Sequence, residues 1–195
     1  MAATAGILLT GGRSQRLGTD KARLVLDGET LAQRGARRLE AVCAPVVEAG
    51  DGWSGLASVR EQPAGAGPLA ALAAAGAWLR DRGHQGPALL LAVDLPSVDE
   101  PFLRWLRDRP GSPTVVLRID GHLQPVCGRY GAEALLAASS LVTVGIGALH
   151  DVFDVVDHDV VAEHEWRTVA TRETFADVDT PADAERFGIA LPRLP

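Results

Sequence analysis

The residues best equipped for chemistry come first in the chain. An apolar run, Gly6-Ile7-Leu8-Leu9, breaks into Thr10-Gly11-Gly12-Arg13-Ser14-Gln15-Arg16-Leu17-Gly18-Thr19-Asp20-Lys21-Ala22. Glycines have no Cβ, so backbone N–H groups there can turn toward a bound anion and approach it closely. Arg13, Arg16 and Lys21 add the positive charge that a nucleoside triphosphate needs neutralised. The pattern is not a P-loop, because Ala22 stands where a hydroxyl would hold magnesium. Nor is it the dinucleotide fingerprint, since Gly11 and Gly12 are adjacent and positions 14 and 17 are not glycine. By residue type alone, the segment is a phosphate cradle or a glycine turn carrying solvated charges.

Two groups of carboxylates lie further along. Asp94 directly follows Ala88-Leu89-Leu90-Leu91-Ala92-Val93, the longest apolar strand pattern in the chain. In open α/β sheets ligands bind beyond the carboxyl ends of the strands, where a carboxylate can offer magnesium the hard oxygen it prefers. The competing reading is an aspartate that fixes the Asp-Leu-Pro turn. Asp177 and Asp179 sit two residues apart in Phe175-Ala176-Asp177-Val178-Asp179-Thr180-Pro181. On a strand, that spacing points both to one side; off a strand, they form an acidic turn.

The ordered segment Leu-Thr-Gly-Gly-x-Ser-x-Arg-Leu-Gly-x-Asp-Lys-Ala, residues 9–22, resembles the N-terminal signature of the molybdenum cofactor nucleotidyltransferases. Most members have Ala where Thr10 stands and Met where Leu17 stands. Leu91-Ala92-Val93-Asp94-Leu95-Pro96 resembles the family's metal-binding block, and Asp177-Val178-Asp179-Thr180-Pro181 its third block. The resemblance implies that Leu9, Thr10, Gly11, Gly12 and Lys21 bind the nucleotide, and that Arg16, Lys21 and Asp94 serve catalysis. It also implies that Asp94 and Asp179 hold Mg2+, with Asp177 a contact toward the acceptor. Gly67-Pro68-Leu69 resembles a segment at the substrate cleft, so Gly67 and Pro68 are expected on the acceptor side. The family places an aspartate ahead of it; here Glu61 is the carboxylate for the base. Glu48 and Gly50 fall where the family also touches the base, although the usual Asn is absent. Residues 139–150 lack the arginines that relatives carry near the pterin.

Composition narrows the class. At 195 residues the chain fits one domain with a substantial core. Hydrophobic residues make up 47% and charged residues 23%, ordinary for a globular protein. A net charge of −6 argues against a general nucleic-acid binder. Cys43 and Cys127 are too few for a disulfide framework or a zinc site. They read as buried apolar residues. No signal-peptide pattern or bilayer-length apolar run is present, so a cytoplasmic protein without membrane contact is expected.

Strand-like and helix-like patterns alternate, which favours an α/β sheet with helices on both faces. Strands are expected at Ala5–Leu9, Pro45–Glu48, Ser58–Arg60 and Ala88–Val93, the last as a central parallel strand. Thr30 with Gln33 forms a capping box that opens a helix to about Val42, with Arg34, Arg37 and Arg38 on a solvated face. Pro68 starts a second helix, and Ser97 with Glu100 is expected to cap a third. Strands joined through Asp120-Gly121 are expected at Pro113–Arg118 and Gln124–Tyr130, then a short helix through Ala138. Phe153–Val156, Thr168–Ala170 and Thr174–Ala176 are further strand candidates, and Thr180 caps a final helix at Pro181–Phe187.

The expected fold is therefore α/β: one three-layer α/β/α domain, residues 1–188, around a mostly parallel, Rossmann-like sheet. The resemblance makes it nucleotide-diphospho-sugar transferase-like; residues 189–195 form a tail. The implied activity is Mg2+-dependent transfer of GMP from GTP to the terminal phosphate of molybdopterin. Transient contact with a molybdoenzyme or a cofactor-insertion protein would follow. The rival readings are a cytidylyltransferase or a transferase for another phosphorylated acceptor, a non-catalytic nucleotide-binding module, and a dehydrogenase.

Overall fold

Apolar residues at every position of a short segment require cover on both faces. Ala5–Leu9 (β1) meets that requirement at the centre of a sheet, every residue buried. The computed structural model of the protein describes residues 3–11 and 17–191. After β1 comes a 3-10 turn, Lys21–Arg23, then a ribbon of Val25–Leu26 (β2) and Glu29–Thr30 (β3). Thr30 and Gln33 form the expected capping box for Leu31–Glu40 (α1). Val46–Ala49 (β4) and Ser58–Val59 (β5) follow, then Pro68–Asp81 (α2) and Ala88–Ala92 (β6). The second half holds Glu100–Asp108 (α3), Val115–Ile119 (β7), His122–Tyr130 (β8) and Ala132–Thr143 (α4). Asp159–Val161 (β9), Glu163–Trp166 (α5) and Pro181–Arg186 (α6) complete it.

The main sheet runs β5-β4-β1-β6-β8-β7-β9. All neighbours pair in parallel except β8, which is antiparallel to both β6 and β7. Side-chain alternation divides the core in two. Ile7, Leu9 and Leu90 pack on one face with Leu69, Leu72 and Leu79 of α2 and Leu135 of α4. Leu8, Leu89 and Leu91 pack on the other with Leu39 of α1 and Phe102, Leu103 and Leu106 of α3. The result is the three-layer arrangement expected from the alternation of patterns.

Several local expectations are corrected. Asp99, not Ser97, caps α3, its side chain accepting the Phe102 N–H at 3.0 Å. The helix expected to stop at Ala138 continues to Thr143. Phe153–Val156 is not a strand: Leu149, Val152 and Phe153 follow helical spacing and bury one side of a 3-10 segment, Leu149–Asp154. Thr168–Ala170 is a turn whose Val169 and Ala170 N–H groups bond back to the Trp166 carbonyl. Thr174 and Phe175 end a 3-10 turn anchored by Phe175, edge-on to Phe102 and Trp166. The outer strand β9 has no counterpart in the expected set. Ile189 is buried, and Ala190 bridges Val25, so the first residues past α6 close over the ribbon rather than ending as coil. No helix among the described residues is long and apolar enough to cross a membrane.

Candidate active site

The C-terminal ends of β1, β4 and β6 lie side by side. Leu9 O accepts the Val93 N–H at 2.9 Å and Thr10 N donates to Ala49 O at 3.1 Å, so the first loop leaves the sheet between the other two strand ends. Gly12 and Arg16, expected to cradle and neutralise phosphate, lie outside the described residues, as does Arg13. At the far end of the loop, Asp20 caps the 3-10 turn by accepting the Ala22 N–H at 2.9 Å. Ala22 is buried, which turns the Lys21 side chain toward the sheet ends.

There Lys21 Nζ lies 2.7 Å from Asp94 Oδ2 and also pairs with Asp179 Oδ1. Three residues distant in sequence, one from each motif, thus meet at one point. Burial alone would lower the Lys21 pKa, but the charges of Asp94 and Asp179 and their hydrogen bonds outweigh it and hold the ammonium above its ordinary value. Asp94 is braced from behind. Arg38, expected on a solvated face, is instead half-buried and donates to the carbonyls of Pro96 and Val98, fixing the turn after Asp94.

The third block is not a strand. Its geometry comes from Val178, which is fully buried beside Leu17, Ala22 and Val93, while its N–H donates to the Asp94 carbonyl at 3.0 Å. With Val178 turned inward, the aspartates on either side face outward to different places. Asp179 reaches Lys21. Asp177 lines a cleft of about 420 Å³ with Gln124, His122 and Arg172, beyond the β7–β8 turn. Partial loss of water raises the Asp177 pKa, and the neighbouring charges of Asp179 and Asp94 add to that, against the pull of Lys21.

The remaining expected residues stand apart from this point. Glu61 is engaged within its own loop, taking the Gly65 N–H at 2.8 Å. Gly67 caps α2 and Pro68 begins it, and a Cβ at Gly67 would lie 3.8 Å from the Gly147 carbonyl, so the arginine-free 139–150 region comes close to Gly67. The two cysteines are buried and their thiols are pushed up to about 12, which leaves no thiolate for catalysis.

Sequence reasoning missed the inward turn of Glu48. Its carboxylate is fully buried and accepts the Thr10 hydroxyl, the Gly52, Trp53 and Ser54 N–H groups, and the Ser54 hydroxyl. It therefore does not face a base. Burial would push its pKa up; the donors, led by the Ser54 and Thr10 hydroxyls, outweigh that and hold it below its ordinary value. The signal was available, since a carboxylate in the run Val46-Val47-Glu48-Ala49 must be paired if the strand is buried.

A mostly parallel sheet with a cationic loop after its first strand and a carboxylate after a central one fits the α/β nucleotidyltransferases. The sequence matches the MobA-like NTP transferase domain over residues 6–155, and the chain belongs to that family. It is 35% identical to a probable molybdenum cofactor guanylyltransferase of Opitutus terrae over 196 residues, covering 94% of each chain. It is 31% identical over 187 residues to a protein of the same name from Pelotomaculum thermopropionicum, covering 91% of this chain and 88% of that one. Among solved structures, molybdopterin-guanine dinucleotide biosynthesis protein A from Archaeoglobus fulgidus shares the fold with a TM-score of 0.77. That match has 19% identity and covers 94% of this chain and 96% of the other.

Proposed function

We propose that this nucleotidyltransferase moves GMP from GTP to the terminal phosphate of molybdopterin, with Mg2+ as its metal. The observation that carries the reading is the meeting of Lys21, Asp94 and Asp179 beside the first loop. The names of the relatives support guanine as the base and the molybdenum cofactor as the acceptor.

In the proposed reaction an acceptor phosphate oxygen bonds to the α-phosphorus of GTP, the bond to the bridging oxygen breaks, and pyrophosphate leaves. Such chemistry depends on positioning and charge neutralisation rather than on a covalent role for the protein. Lys21 would hold charge at the α-phosphate, and Gly11 would offer its backbone N–H to the nucleotide, the Leu9 carbonyl and the Thr10 N–H being engaged in the sheet. Asp94 and Asp179 present carboxylate oxygens around one point, which suits a hard cation. No group of three or more His, Cys, Asp or Glu side chains among the described residues could hold a metal. Mg2+ does not need one, because phosphates and waters complete its shell. When bound, the metal would polarise phosphate oxygens. The cleft lined by Asp177 is the proposed place of the acceptor.

For the base, Glu61 is proposed to accept the ring N–H and exocyclic amine of guanine, a donor pair that cytosine lacks. The test is kcat/KM for GTP and CTP with molybdopterin, in wild type and Glu61→Gln. GTP should be preferred by about 100-fold or more, and the variant should lose most of that. A CTP preference in the wild type overturns the guanylyl reading; unchanged discrimination in the variant removes Glu61 from the base site.

A further inference from the structure

The segment after β4 touches the nucleotide loop at both of that loop's ends. At the start, the Thr10 hydroxyl donates to Glu48 Oε1, and Gly50 lies so close to Thr10 that a Cβ there would strike the hydroxyl. At the end, Trp53 Nε1 donates to Asp20 Oδ2 at 3.1 Å, one residue before Lys21. The Arg23 guanidinium lies 5.0 Å from the Trp53 ring centroid, on the other side of Lys21 in sequence. Trp53 is 40% exposed, so core packing does not hold it. What holds it is its backbone: the N–H groups of Gly52, Trp53 and Ser54 bond to Glu48 at 2.8, 3.0 and 2.8 Å.

We infer that Glu48 is a positioning residue for the nucleotide loop, pinning its start through Thr10 and its end through Trp53 and Asp20. The inference rests on the nucleotidyltransfer reading for its effect on turnover, but the linkage itself is a property of the fold. A buried carboxylate taking five neutral donors is a rigid node, because those donors together replace the water its charge has lost. Rigidity at the node passes to the loop ends by direct hydrogen bonds. Lys21 begins a 3-10 turn capped by Asp20, so a displaced Asp20 carries the Lys21 ammonium away from Asp94 and Asp179. A role confined to holding the sheet together would not reach Lys21.

The test uses full-length protein carrying 5-fluorotryptophan, whose four indoles give separate 19F resonances; Trp53→Phe assigns that of Trp53 and replaces its indole, N–H donor included, by a phenyl ring. In Glu48→Gln, which replaces an acceptor oxygen by a donor facing donors, the Trp53 resonance should shift or broaden while the other three stay. Measured well below the melting temperature, kcat should fall about tenfold with a smaller change in KM for GTP. Adding Trp53→Phe to Glu48→Gln should cost less than about twofold more, the non-additivity of residues acting in series. Should Glu48→Gln not fold, Thr10→Val removes one donor and should move the same resonance and kcat in the same direction. A Trp53 resonance that stays put overturns the linkage whatever the activity. A shifted resonance with unchanged kcat overturns the positioning role. If the wild type transfers no nucleotide from any of the four NTPs while the resonance shifts as expected, the linkage stands and the nucleotidyltransfer reading fails.

Discussion

Two carboxylate sites flank the first loop, and they are satisfied in opposite ways. Asp94 and Asp179 share one ammonium at the rim of the sheet, where their side chains remain 24% and 46% exposed. Glu48 has no exposure and is met by five neutral donors fixed to the backbone or to short side chains. An ammonium on a flexible stem can move aside for a phosphate or a cation; peptide dipoles in a closed loop cannot. The first site can therefore exchange partners and the second cannot, although Asp94 and Glu48 both lie at the C-terminal ends of strands that flank β1. Charge alone does not mark a reactive carboxylate. The nature of its partner does.

The contrast breaks if variants at the two sites behave alike. The largest expected effect is Asp94→Asn: pyrophosphate release should fall by roughly 100- to 1,000-fold while the thermal midpoint stays near wild type. A large loss of midpoint would make Asp94 a structural residue like Glu48. Next is Lys21→Met, for which kcat and kcat/KM should fall together by about 100-fold, since the charge is needed most where negative charge develops. A change confined to KM would make Lys21 a plain binding group.

Glu48→Gln should shift the balance, costing about 2–3 kcal/mol of stability beside the smaller, roughly tenfold loss of kcat, because a buried acceptor is lost among donors. The sign of its pH dependence follows from the lowered pKa. Glu48 stabilises the fold above its ordinary value of 4.5, and that contribution is lost as pH falls through the folded value. Melting curves of the variant between pH 3 and 6 should accordingly be flatter than those of wild type; parallel curves would show that Glu48 is not held ionised by its donors.

Asp177→Asn is the smallest effect. Its folded pKa lies above the ordinary 3.8, so the wild type loses stability as pH rises from there through the folded value. The variant should be more stable at neutral pH by at most about 0.5 kcal/mol, solvent screening having reduced the repulsion. Destabilisation at neutral pH would mean that Asp177 is paired rather than repelled.

The same two sites show what a sequence reveals. Lys21, Asp94 and Asp179 were legible as candidates because each lies in a block that resembles the family's signature, Asp94 just past a central strand and Asp179 just before a capped helix. Their meeting was not, because it depends on Val178 docking against the Asp94 carbonyl, a contact between distant segments. Glu48 was visible as a residue but not as a node, since its partners are mainly backbone N–H groups in a glycine-containing loop that has no periodicity to read. The strands β1, β4 and β6 and the helices α1, α2 and α6 follow from period and caps. From residue 149 onward the segments are short and held by single anchors such as Phe153, Trp166 and Phe175. Three or four residues carry too little pattern to separate a strand from a 3-10 turn.

Nucleotidyl transfer at the Lys21–Asp94–Asp179 point is tested most directly by a single-turnover reaction with α-phosphate-labelled GTP, Mg2+ and molybdopterin. The label should appear in the acceptor with one pyrophosphate released for each label transferred, and Asp94→Asn should release it roughly 100- to 1,000-fold more slowly. Inorganic phosphate in place of pyrophosphate, or label that never reaches the acceptor, would contradict the claim.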